Sequence, residues 1–165
     1  MSSRRASDWA WKSVSEASEV TVISEKQFRV EIITPERLRY EGSDAALLTV
    51  PGEEGQMGLM ANHAPLLALL RPGPLTLRTR NHTYVMAVGA GFVKMNANHA
   101  VCLVDFAEPA EEIDGPAATR RQATLQSAVE AAGTEEERAA LRGQLAGEQA
   151  RLDVLRIASP HAIGE

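Results

Sequence analysis

The hydrophobic period of this chain changes abruptly at Asp114. Upstream of it, apolar and polar residues alternate in short runs separated by turn residues; downstream, strand formers nearly vanish and Ala, Arg, Gln, Glu and Leu dominate. Strand side chains alternate between two faces, whereas helical ones return every third or fourth position. A chain that shows first one pattern and then the other folds as a β part followed by an α part, not as alternating βα units.

In the upstream part Phe28, Val30 and Ile32 alternate with Arg29 and Glu31 until Thr34-Pro35 ends the run. Arg37 to Glu41 reads as a short partner strand, Asp44 to Val50 as a central one, and Leu66 to Leu70 as a short buried run. Leu75, Leu77 and Thr79 alternate with Thr76, Arg78 and Arg80, and Asn81-His82 forms a hairpin tip leading into Thr83 to Val88. Asn96 to Asn98 is a similar tip between Phe92-Met95 and Val101-Asp105. Between the central strands, Pro51 to Leu66 reads PGEEGQMGLMANHAPL: a Pro-Gly turn, closely spaced glycines and a buried-looking His-Ala-Pro-Leu corner, with another turn at Pro72-Gly73. Such punctuation folds strands back tightly, with glycine where φ must be positive. The expected fold class is α+β: an N-terminal all-β sandwich of about ten short strands, then a C-terminal antiparallel α-helical hairpin.

The hairpin carries its own punctuation. Asp114 caps a first helix with Pro116 in its first turn, and Leu125, Val129 and Ala132 supply an apolar face. Gly133 breaks the chain, and Thr134 with Glu137 makes a capping box for a second helix. Leu141, Leu145, Leu152 and Leu155 recur there on one stripe. Gly143 and Gly147 weaken that helix by about 1 kcal/mol each relative to Ala, which makes the hairpin the looser part of the molecule. The expected divisions are an N-terminal extension over 1–26, disordered on its composition, a sandwich over 27–106, a linker over 107–115, a hairpin over 116–158 and a tail over 159–165. In the extension, Arg4, Arg5 and the serines lack the apolar stretch of a secretory signal, and Trp9 with Trp11 leaves room for a small docking role.

Composition excludes several function classes. A formal net charge of −5 with no basic stripe argues against nucleic acid, and an aromatic content of 4% removes base-stacking platforms. No apolar run approaches the roughly 20 residues needed to span a bilayer, so direct membrane insertion is not expected. Cys102 is the single cysteine, so no intramolecular disulfide forms; within Val101 to Val104 it reads as an inert core thiol. His82 and His99 fall at hairpin tips and read as solvated turn residues. There is no HExxH, CxxC or GxSxG motif and no phosphate-binding glycine loop. Metal and phosphate chemistry therefore have no support, and no cofactor is expected. His63 has two open readings: a corner histidine that satisfies a neighbouring backbone group, or part of a partner surface flanked by Met57, Leu59 and Met60.

Phe28 to Ile33, the Pro51 to Leu66 stretch and Val88-Gly-Ala-Gly-Phe-Val93 together resemble the epsilon subunit of the F-type ATP synthase, the subunit called delta in mitochondria. The resemblance runs from about Phe28 to Ala158. It implies a non-catalytic rotor subunit of the central stalk that links the gamma subunit to the c-ring, peripheral on the cytoplasmic face of the bacterial inner membrane. It also implies that Glu54, Gln56, Met57, Met60, Asn62 and His63 form the surface that meets gamma and the c-ring. Many relatives carry an acidic residue where this chain has Gln56, so a charge-assisted contact there becomes a neutral hydrogen bond, with Glu53 or Glu54 as substitutes. Arg138, Arg142 and Arg156 lie within about 40° of one another around the second helix. They are either solvated, helped by Glu135 and Asp153, or, as the resemblance implies, contacts for an acidic segment of a catalytic head subunit when the hairpin extends. Some relatives bind ATP through an Ile-Asp-x-x-Arg-Ala motif; here Ile113-Asp114-Gly-Pro-Ala-Ala118 lacks the arginine, so no useful ATP binding is expected. Two other classes fit the same periodicities: a stand-alone β-sandwich binding module with a helical oligomerisation tail, and a small enzyme built on His63.

Overall fold

The computed structural model describes residues 26–159; the expectations for the N-terminal extension and for all but the first residue of the tail lie outside the described residues. The elements run β1 (Phe28–Ile33), β2 (Leu38–Gly52), β3 (Gly55–Leu59), β4 (Leu66–Leu70), β5 (Gly73–Thr79), β6 (Thr83–Val88), β7 (Gly91–Asn96), β8 (His99–Val104), β9 (Ala107–Pro109), α1 (Gly115–Ala131) and α2 (Glu135–Ala158). The strands join in the order β1-β8-β7-β4-β2-β5-β6-β9, with β3 on β2 and an added β1–β2 pairing. One layer is β4-β7-β8-β1 and the other β3-β2-β5-β6-β9. β2 belongs to both, because its first half pairs with β1 and its second half with β3 and β5.

This long β2 replaces two expected strands. Gly42-Ser43-Asp44 carries the residue types of a turn, but the backbone stays extended through it. Gly42 is there because Tyr40 folds over it: a Cβ would stand 2.4 Å from the phenol oxygen. The β7–β8 tip behaves as the sequence predicts, with Ala97 at φ 47° and Asn98 at φ 60°, the paired left-handed residues of a tight type I′ hairpin.

Alternation fills the space between the layers. Phe28, Val30, Ile32, Leu48, Val50, Leu59, Leu75, Leu77, Met86, Val93 and Met95 are all buried there. Each full-sized side chain of this kind contributes about 1.5 to 3 kcal/mol through removal from water. Cys102 sits among them, and burial pushes its thiol up to about 12. Because burial favours the neutral thiol, the thiolate fraction at about pH 8 is near one in ten thousand. Cys102 is therefore expected to resist maleimide in the folded chain and to react fully in denaturant, as mass spectrometry would register.

Residues 107–115, expected as a linker, instead contain β9 paired to β6 and a 3-10 turn over Ala110–Glu112. Three residues, Ala-Glu-Pro, are too few to show a period. The helix starts follow the sequence closely. Asp114 Oδ1 accepts the Ala117 N–H (3.0 Å) and Thr134 Oγ1 accepts the Glu137 N–H (3.1 Å). Glu137 reaches back to the Gly133 N–H (3.1 Å), one residue before the usual capping-box partner.

The hairpin packs on the outer face of β5 and β6 through the C-terminal half of α2, while α1 packs on α2. Its buried contacts are small: Val85 and Ala87 of β6 against Ala150 and Val154, with Phe106, Ala110 and Ile113 alongside. The expected leucine stripe is not this docking face. Leu141, Leu145, Leu152 and Leu155 are only half-buried, and the residues α2 buries are Gly147, Glu148, Ala150 and Val154. A close approach to a sheet selects small residues, which the leucine period does not reveal.

Candidate partner surfaces

The six residues predicted as a partner surface do not lie on one loop. Their segment contains β3, hydrogen-bonded to β2 with Leu59 fully buried, so they separate to the two ends of a strand. At about 3.4 Å per residue, those ends are on the order of 15 Å apart. Glu54 and Gln56 are exposed at the β2–β3 tip, where Gly55 takes φ 135° and Gly52 turns so closely that a Cβ would meet the Gly55 carbonyl at 2.6 Å. Met57 is half-buried against the core beside them.

Met60, Asn62 and His63 are exposed at the other end of β3. The His-Ala-Pro corner that looks buried in the sequence stands in solvent, because Asn62 at φ 64° swings the chain outward. Asn62 is fixed by its N–H, which donates to Asn98 Oδ1 (2.6 Å) across the β7–β8 tip. His63 Nδ1 donates to the Ala64 carbonyl (2.8 Å), a carbonyl being an acceptor only, so this nitrogen carries the proton. His99, predicted to be a solvated turn residue, instead faces Glu31 through Nε2, because the parallel β1–β8 pairing sets His99 opposite Arg29, two residues before Glu31 along β1. His82 is exposed and stacks on Tyr84, with ring centroids 6.0 Å apart.

A larger feature carries no signal in the sequence pattern. Leu67 and Leu69 of β4 are 71% and 61% exposed, and Phe92 and Leu103 are each 37% exposed. In register, Leu69 stands opposite Phe92, Phe92 opposite Leu103, Leu103 opposite Ile33, and Ile33 opposite Leu38. An apolar row therefore crosses the outer face of the β4-β7-β8-β1 layer. It opens at Leu69 into a shallow concavity of about 400 Å³ lined also by Glu53, Glu54, Gln56, Met57 and Ala68. Exposed apolar rows of this extent mark contact surfaces. The hairpin occupies the opposite outer face. Leu66 to Leu70 reads as buried because an unbroken apolar run hides which alternate residues point out.

On α2, Arg138 pairs with Glu135 (2.9 Å) and caps the Ala132 carbonyl of α1 (3.0 Å), Arg142 shares Glu135 (3.3 Å), and Arg156 pairs with Asp153 (3.3 Å). Arg156 lies about 27 Å along the axis from Arg138, so the three form a row and not a cluster. Where the nucleotide motif of some relatives has arginine, this chain has Ala117, followed by the fully buried Ala118. Arg121 donates to Glu148 (2.9 Å), which raises its pKa further, and Asp114 is engaged as a cap. Among the described residues, no three His, Cys, Asp or Glu side chains are grouped to hold a metal ion, and no helix is long and apolar enough to cross a membrane.

Residues 27–110 match the family described as the ATP synthase, Delta/Epsilon chain, beta-sandwich domain. The ATP synthase epsilon chain of Pelotomaculum thermopropionicum is 38% identical over 92 residues, 56% of this chain and 68% of that one. That of Laribacter hongkongensis is 33% identical over 128 residues, 76% of this chain and 91% of that one. In fold the chain is similar to one in the mitochondrial ATP synthase OSCP/F1/c-ring assembly of Euglena gracilis, with TM-score 0.66 and 20% identity over 90% of each chain. Sandwich, hairpin and relatives agree, and the chain belongs to the ATP synthase delta/epsilon family, the family of the epsilon chain.

Proposed function

We propose that this chain is a non-catalytic central-stalk subunit of a rotary ATP synthase, linking gamma to the c-ring so that proton-driven rotation reaches the catalytic head. The observation that carries this reading is the exposed row of Leu69, Phe92 and Leu103 running into the β2–β3 tip, on the face away from the hairpin. An apolar row flanked by a polar tip suits a standing contact with another subunit, and interlocked layers resist the shear that a rotor transmits. The related chains in the Euglena assembly and in the Tetrahymena thermophila central stalk/c-ring structure come from such machinery. In this reading the apolar row meets gamma. Glu54, Gln56 and Met57 meet the gamma foot and c-ring at one end of β3, and Met60, Asn62 and His63 extend that surface at the other. The subunit sits peripherally on the cytoplasmic face of the bacterial inner membrane. The hairpin limits ATP hydrolysis through Arg138, Arg142 and Arg156 when it leaves the sandwich, and it does not use ATP as a ligand.

Cysteines introduced at Glu54 and Gln56 test the placement. Both side chains are exposed and Cys102 is buried, so crosslinks report only the new sites. Crosslinks to gamma and the c-ring are expected in assembled complexes. Labelling confined to the catalytic head contradicts the placement.

A further inference from the structure

The seam between hairpin and sandwich is sparse in apolar contact and rich in buried charge. Arg151 of α2 donates through Nε and Nη2 to the two carboxylate oxygens of Glu108 in β9, both at 2.9 Å, a fork-to-fork pair. Its third nitrogen, Nη1, donates to Glu148 (3.1 Å), and its guanidinium carbon lies 4.2 Å over the Phe106 ring. Glu148 also accepts from Arg121 of α1 (2.9 Å), so one chain of contacts ties β9, α2 and α1 together. Arg151 and Glu148 side chains are only 15% and 9% exposed. Phe106 is held from below by Gly89, where a Cβ would stand 2.8 Å from the ring, and from the helix side by Gly147, at 3.4 Å.

We infer that Arg151 is the latch of the helical hairpin: its bidentate pair with Glu108 over Phe106 sets how often the helices leave the sandwich. The inference rests on the reading that the hairpin moves. The apolar half of the seam, two valines and two alanines with Phe106, Ala110 and Ile113 beside them, is small. The ionic half is directional: Arg151 and Glu148 are shielded from solvent while Glu108 is 34% exposed, so removing Arg151 loses the fork and the stacking on Phe106 and leaves the buried Glu148 with Arg121 alone. Lysine cannot substitute fully, because it has neither the planar fork nor the stacking face of arginine.

Hydrogen exchange of the full-length chain, followed by mass spectrometry, tests this without any other subunit. Arg151→Ala is expected to speed exchange of α1 and α2 amides by about tenfold or more while β1, β7 and β8 stay as protected as before. Glu108→Gln should do the same to a smaller extent, and Arg151→Lys should fall between the wild type and Arg151→Ala. Unchanged hairpin exchange in both Arg151→Ala and Glu108→Gln overturns the latch. Equal acceleration of hairpin and sandwich also overturns it, since the pair then serves the whole fold. Faster hairpin exchange with unaltered hydrolysis in assembled synthase keeps the latch and removes the inhibitory role instead.

Discussion

Replacing Leu69 and Phe92 together by glutamate is expected to abolish association with gamma while the sandwich stays folded. Leu69 is 61% exposed on the outer face and gives up little buried area, whereas Phe92, at 37% exposure, gives up more. A change at a site as exposed as Leu69 usually shifts stability by about 0.5 kcal/mol or less, and Phe92→Glu is expected to cost about 1 kcal/mol, which the sandwich core absorbs. In a closed interface they strand two carboxylates against apolar surface, at a cost on the order of 4 kcal/mol, or roughly a thousandfold in Kd. Titration of gamma with the variant, with circular dichroism to confirm folding, measures both effects. Retained affinity would move the gamma contact off this face.

Removing the chain after Asp114 is expected to leave ATP synthesis largely intact and to raise ATP hydrolysis by about fivefold or more, the lower range for coupling between distant sites. The cut spares β9 and its pairing to β6, and uncovers Val85 and Ala87 beneath α2 together with Phe106, Ala110 and Ile113 beside them. Changing Arg138, Arg142 and Arg156 to alanine should reproduce part of the rise. In the folded-down hairpin these arginines are occupied by Glu135 and Asp153 on their own helix; the proposed extended state requires them to exchange those partners for acidic residues of another subunit. Steady-state hydrolysis and synthesis by reconstituted complexes separate the two effects. Hydrolysis unchanged in both variants would leave the arginines as a solvated face.

What the sequence reveals is what local chemistry determines. Asp114 and Thr134 are legible as caps because a cap is completed within three residues, and the Ala97-Asn98 turn is legible from the strand periods around it. What escapes are choices made between distant segments. Gly42 to Asp44 continue a strand because β1 pairs across them, and Glu108 lies in a strand because β6 offers an edge. Leu67 and Leu69 face outward because, among the described residues, no second layer covers β4 on that side, a fact absent from their run of apolar neighbours. The same limit separates the predicted surface residues: Glu54 and His63 are close in sequence, and β3 carries them to opposite ends.

The central claim is that this chain assembles as a rotor subunit, and co-purification tests it most directly. Affinity-tagged full-length chain expressed in its own cells should recover gamma in equal amount, together with the c-ring, and the Leu69 and Phe92 double variant should recover neither. A wild-type chain that elutes as a self-associated oligomer through its helices, free of gamma and the c-ring, would contradict the account.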